Sequence, residues 1–153
     1  MSDEVRKTSY DGTKAADDKL RVLHVPAGRR AEVIEMEDSL KAMQELVGGM
    51  IEEYTPFEDD VAIVCNDEGK MLGLPLNRGI RDEEGNLQDI IAGDFFVCYA
   101  PIESEDFLSL PPDLEKKYKE LFDYPEQFFR TENGIHGMKY APQAELKEAD
   151  LAR

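Results

Sequence analysis

The sequence predicts an α+β fold: a mostly antiparallel sheet with one amphipathic helix in its core and a C-terminal helix packed on it. Three observations carry this expectation. Short apolar segments of β-like composition follow one another with no helix between them. A helical apolar period appears at residues 40–47 and again at 114–122. The regular alternation of strand and helix that marks a parallel sheet is missing.

The elements follow in order. Order begins at residues 20–25 (LRVLHV), and Pro26-Ala27-Gly28 turns this strand into a second at 31–36 (AEVIEM). Together they read as a hairpin. In EDSLKAMQELVGG, Asp38 or Ser39 can cap a helix, Leu40, Met43, Leu46 and Val47 form one stripe, and Gly48 ends it. Residues 50–54 (MIEEY) give a third strand. The β-branched run VAIVC at 61–65 has the character of a central buried strand. NDEGK then suggests a hairpin turn with Gly69 in the left-handed conformation, returning through a strand at 71–76. Pro75 confines that strand to an edge or an end. RDEEGN repeats the same turn chemistry at Glu83-Glu84-Gly85, and DFFVCYA at 94–100 is the last core strand.

After Pro101, Leu114, Tyr118, Leu121 and Phe122 recur at helical spacing, with Pro111 or Pro112 in the first turn. Tyr124-Pro125 ends this helix, and EQFFR offers two aromatics to cover the sheet. The expected order is β-β-α-β-β-β-β-α. Residues 1–19 read as a disordered arm, and 20–130 as a single domain with a core at 20–100 and a helical extension at 101–130. Residues 131–153, rich in Gly, Pro and charge, read as a loose tail with a short helix in AELKEADLA.

The 153 residues are enough for a hydrophobic core, and their net charge is −16. That charge argues against direct nucleic-acid binding, which needs clustered Lys and Arg, and against an anionic membrane surface. It permits a basic protein partner. Residues 31–60 carry ten acids (Glu32, Glu35, Glu37, Asp38, Glu45, Glu52, Glu53, Glu58, Asp59 and Asp60) against Lys41 alone. The two cysteines, Cys65 and Cys98, sit in apolar β-like runs and read as buried free thiols of a reducing, cytoplasmic protein. The polar N-terminus has no signal-peptide pattern, and no apolar run reaches membrane-spanning length.

The stretch from Val64 to Asn86 is the part that most resembles a site. As an EF-hand loop it fails. With Gly69 at the sixth position, Val64 and Pro75 fall where oxygen ligands belong; with Gly85 there, Ile80 and Ile91 do. Gly69-Lys70 lacks the rest of a phosphate-binding loop, and no dinucleotide signature is present. Neither His24, in a strand, nor His136, in the tail, is brought near a cysteine by sequence spacing. No catalytic residue, metal ligand or cofactor is assigned, and the reading is non-enzymatic. Asn66, Lys70, Asn77 and Arg78 remain as ligand- or partner-binding candidates, because an Arg fork beside Asn amides suits an anionic or nucleotide-like ligand. Arg78 is expected to point into a shallow pocket beside Asn77.

The strings LVGGMIE, VAIVCNDEGK, GLPLNR and DIIAGDFFVC resemble the bacterial and phage family called domain of unknown function 3846. The likeness runs from about residue 20 to 99, and YPEQFF fits a C-terminal extension of some members. It implies a small α+β domain, often encoded on phages, plasmids and conjugative elements, and no activity. Most of the motif glycines have a fold-specifying reading, which leaves Asn77-Arg78 as the part without one. Function is therefore expected to be that of an accessory protein of a mobile element or phage, binding a protein or small molecule. The alternative is an acidic nucleic-acid mimic, or a protein sequestering a nucleotide signal, that counters a host defence.

Overall fold

The computed structural model describes residues 19–142. Nearly all of the expected N-terminal arm and the AELKEADLA helix lie outside the described residues. The elements run β1 (Lys19–Val25), β2 (Glu32–Glu37), α1 (Leu40–Val47), β3 (Ile51–Tyr54), β4 (Val61–Asn66), β5 (Leu76–Arg81), β6 (Leu87–Ala92), β7 (Phe95–Tyr99), α2 (Pro112–Phe122), β8 (Glu126–Thr131) and β9 (Gly134–Lys139). The fold is α+β and mostly antiparallel.

A five-stranded sheet of order β2-β1-β7-β4-β3 forms the middle layer. Every pairing in it is antiparallel, with Val97 of β7 opposite both Leu23 of β1 and Ile63 of β4. The central strands are apolar on both faces because both faces are covered. Val22, Ala62, Val64, Phe96 and Cys98 meet Met43 and Val47 of α1 on one side. Leu23, Ile63, Phe95 and Val97 meet Tyr118 and Phe122 of α2, with Ile80 of β5 and Ile91 of β6, on the other. Each fully buried Val, Ile or Phe side chain contributes about 1.5–3 kcal/mol relative to exposure.

The caps of α1 are those its sequence suggests. Ser39 Oγ accepts from the Ala42 N–H at 3.1 Å, and Gly48 ends the helix at φ 81°, donating to the Gln44 carbonyl. In α2, Tyr118 and Phe122 are buried, and Phe122 meets Phe95 edge-on with ring centroids 5.5 Å apart. Leu121, expected on the same stripe, is exposed instead.

Three expectations are corrected. Residues 71–76 do not return beside β4. Instead 68–73 form a helical turn, in which the Leu72 N–H donates to the Glu68 carbonyl and the Leu74 N–H to the Gly69 carbonyl. Lys70, Met71 and Leu72 are good helix formers, and Gly73 closes the turn at φ 71°. Second, Gly69 is not left-handed. It is required because a Cβ there would lie 2.6 Å from the Ala92 carbonyl oxygen. The hairpin of this region is β5–β6, and it turns through Gly85 at φ 87°. Its second strand, β6, was not expected. Third, the segment read as the start of a loose tail forms β9, paired with β8 from Glu126↔Lys139 to Thr131↔Gly134.

Candidate functional site

Of the four predicted site residues, three are committed to the fold. Arg78, on β5, is 0% exposed. Its Nε donates to the Phe122 carbonyl at 2.9 Å, Nη1 to Asn77 Oδ1 at 2.7 Å, and Nη2 to the Arg29 carbonyl at 2.7 Å. Longer bonds reach the Pro26 and Asp123 carbonyls. The guanidinium thus satisfies carbonyls left over at the end of α2 and in the β1–β2 turn, as a planar fork can do and an ammonium cannot. Burial pushes its pKa down to about 10, opposed by Glu126 and other anionic groups, so it stays charged at neutral pH. The expectation that Arg78 points into a shallow pocket is overturned.

Asn77 is also 0% exposed. Its Nδ2 donates to the Val25 and Gly93 carbonyls at 2.8 and 2.9 Å, tying the end of β1 to the β6–β7 corner. Asn66 donates from Nδ2 to the Val47 carbonyl at the end of α1 and accepts at Oδ1 from the Glu68 N–H. Lys70 is exposed and pairs with Asp89 at 2.7 Å.

Asn66 and Lys70 border a cleft of about 300 Å³ together with Glu52, Tyr54, Cys65 and Asp89. Two of its groups, Cys65 and Tyr54, are held in their protonated forms at neutral pH. Burial pushes the Cys65 thiol up to about 12, so it stays protonated and is a poor nucleophile. Burial also raises the Tyr54 hydroxyl, helped by Asp89. His24, in β1, faces Asp94 Oδ2 at 3.2 Å. The hydrogen bond from His24, with one from the Ala27 N–H, holds the Asp94 carboxyl below the usual range.

A larger groove of about 630 Å³ lies between β6 and the β8–β9 hairpin, lined by Leu76, Leu87, Ile90 and Ile135, with Lys70 and Asp89 at its edge. Leu76 is 48% and Ile135 45% exposed, although both are large and apolar. Elsewhere on the surface, Met71 and Leu72 reach 85% and 60%, and Phe129 and Met138 are also exposed. The hairpin that forms one wall is anchored by Glu126. That carboxylate is buried, pairs with Arg81 at 2.7 Å and accepts the Gly79 N–H at 2.9 Å. Gly137 is needed opposite, since a Cβ there would lie 2.7 Å from Glu126 Oε1. Lys70 apart, none of these groove residues was singled out from the sequence. The sequence carried little signal for them: in GIHGMK the apolar Ile135 and Met138 stand three apart, not two as strand alternation requires.

The profile of one family, described as Domain of unknown function (DUF3846), matches residues 20–123. The chain belongs to that family. The DUF3846 segment thus ends at Asp123, whose carbonyl is one of those held by Arg78, and the β8–β9 hairpin follows beyond it. No curated protein and no solved structure matches the chain.

Proposed function

We propose that this DUF3846 protein is a non-enzymatic accessory domain of a phage or mobile element, acting in the cytoplasm and docking a protein partner in the groove between β6 and the β8–β9 hairpin. One observation carries the reading: large apolar side chains, Leu76 and Ile135, stand half-exposed in a groove instead of entering either core cluster. Exposed apolar patches on an otherwise acidic surface are characteristic of interaction sites. The buried free thiols Cys65 and Cys98 fit a reducing compartment.

The other two readings have less support. Sequestering a nucleotide through Asn77 and Arg78 would need side chains that are already spent on internal carbonyls. A nucleic-acid mimic needs carboxylates in a row. Strand alternation sends Glu35 and Glu37 of β2 to one face of the sheet and Glu32 to the other.

The test is selection of a displayed random peptide library on the immobilised protein, beside the double variant Leu76→Asp, Ile135→Asp. Docking in the groove predicts apolar, basic peptides enriched on the wild type and not on the variant. Equal enrichment on both would place the binding surface elsewhere.

A further inference from the structure

We infer that two copies of this chain pair antiparallel through the outer edge of β9, so that their β8–β9 hairpins join into one four-stranded sheet about a twofold axis. The inference goes beyond the docking reading and makes no use of the groove. β9 pairs with β8 alone, and among the described residues no group outside β8 bonds its main chain. The hairpin leans on β5 chiefly through β8, whose Glu126 accepts the Gly79 N–H. The side of β9 turned away from β8 is therefore an open ladder edge, and no residue of β9 is buried. Such an edge is a template for a further strand, held by main-chain bonds.

Charge names the occupant. Carboxylates stand on both end strands of the five-stranded sheet and on β6: Glu32, Glu35 and Glu37 on β2, Glu52 and Glu53 on β3, and Asp89 on β6. Like charge along an edge keeps a second acidic copy away from those strands. β9 has no carboxylate, and its one cation, Lys139, is its last residue. Antiparallel pairing lays the end of each β9 against the start of the other. Glu132 lies in the turn just before that start, so Lys139 of each copy meets the Glu132 end of its mate, twice by symmetry. One copy alone cannot make this pair, because the two residues flank opposite ends of the strand. Apolar surface gains as well. The register Phe129↔His136 and Gln127↔Met138 puts Phe129 and Met138 on one face of the hairpin, where they are 45% and 59% exposed. Two strands are marginal in water, whereas four with a shared apolar face can hold together.

The experiment is sedimentation equilibrium of the full chain over a range of concentrations, with amide hydrogen exchange at the same concentrations. Salt is kept at about 0.15 M, where exposed charges more than about 8 Å apart are largely screened and the overall negative charge opposes association least. Edge pairing predicts a dimer that forms as concentration rises, with alternate amides of residues 134–139 gaining protection alongside it. Lys139→Glu sets like charges together at both ends of the pairing and should weaken the dimer about tenfold. Adding Glu132→Lys to that variant should restore it, since each pair is then re-formed with its signs exchanged. Both positions are exposed, so neither change disturbs the fold. A monomer at every concentration up to about 1 mM would overturn the inference. A dimer whose β9 amides stay unprotected, or one that Lys139→Glu leaves unchanged, would place the contact elsewhere and overturn it too. The library selection reads the groove separately from all of these outcomes.

Discussion

The Arg78 Nε–H donates to the Phe122 carbonyl at 2.9 Å, joining the middle of β5 to the last turn of α2 inside the protein. The same guanidinium reaches Arg29 in the β1–β2 turn, so three separate parts of the chain share one buried cation. Replacing it leaves those carbonyls without a donor and a void where a long side chain stood. Arg78→Ala should therefore cost about 3–5 kcal/mol, the range for breaking a buried charged network. Urea unfolding of the variant measures this, and a loss below about 1 kcal/mol would make the network dispensable.

Gly69 and Gly73 lie in one turn but are glycines for different reasons. At Gly69 a Cβ meets the Ala92 carbonyl oxygen, which is backbone and cannot easily give way. Gly73 has nothing within 4 Å but holds a left-handed φ of 71°. Gly69→Ala should cost about 1–3 kcal/mol as an overpacking change, whereas Gly73→Asn should cost less than about 1 kcal/mol because Asn tolerates that conformation. Thermal melts of the two variants check the order, and a milder effect at Gly69 would contradict the packing.

The cysteines give a third prediction. Cys98 is fully buried, and the raised Cys65 thiol keeps very little thiolate at neutral pH. Both should label slowly with a thiol reagent in the native protein and fast in denaturant. Above pH 9 the unfolded chain ionises Cys65 while the folded chain holds it protonated up to about 12, so this group's contribution to stability falls as pH rises through that window. Cys65→Ser should reduce that alkaline loss.

Acid acts through different groups. Asp123, hydrogen-bonded by Arg30 and Lys119, Asp94, bonded by His24, and Asp59, bonded by Lys117 and Tyr118, are all held below 3.8. Groups depressed in the folded state stabilise it fully above their unfolded pKa and lose that contribution as pH falls below it. A triple variant, Asp59→Asn, Asp94→Asn, Asp123→Asn, should be less stable than wild type at pH 7, with the gap narrowing at pH 3. A gap that did not narrow would mean that these carboxylates contribute through shape alone.

Local rules made much of the framework legible. The cap Ser39, the stop Gly48 and the β-branched run of β4 are each decided within a few residues, so the sequence displays them. Arg78 and Asn77 were legible as exceptions to turn chemistry, but not as fold residues. Their partners lie 52 and 44 positions away, at Val25 and Phe122, and only the closed structure brings those carbonyls together. The return after β4 was misread because a strand at 71–76 and a helical turn compete locally. The contact that decides it, Gly69 against Ala92, is long-range. The β8–β9 hairpin was missed because it is held by the Glu126–Arg81 pair and not by a strong apolar period of its own.

The central claim is that fold is assigned to Arg78 and binding to the groove. The affinity of one library-selected peptide for two variants tests it most directly, measured where both are folded. Arg78→Lys should melt at lower temperature yet bind the peptide as the wild type does. The double variant Leu76→Asp, Ile135→Asp should keep its stability within about 1 kcal/mol, as surface substitutions do, and lose the peptide. Loss of binding in Arg78→Lys, with binding retained in the double variant, would contradict the account.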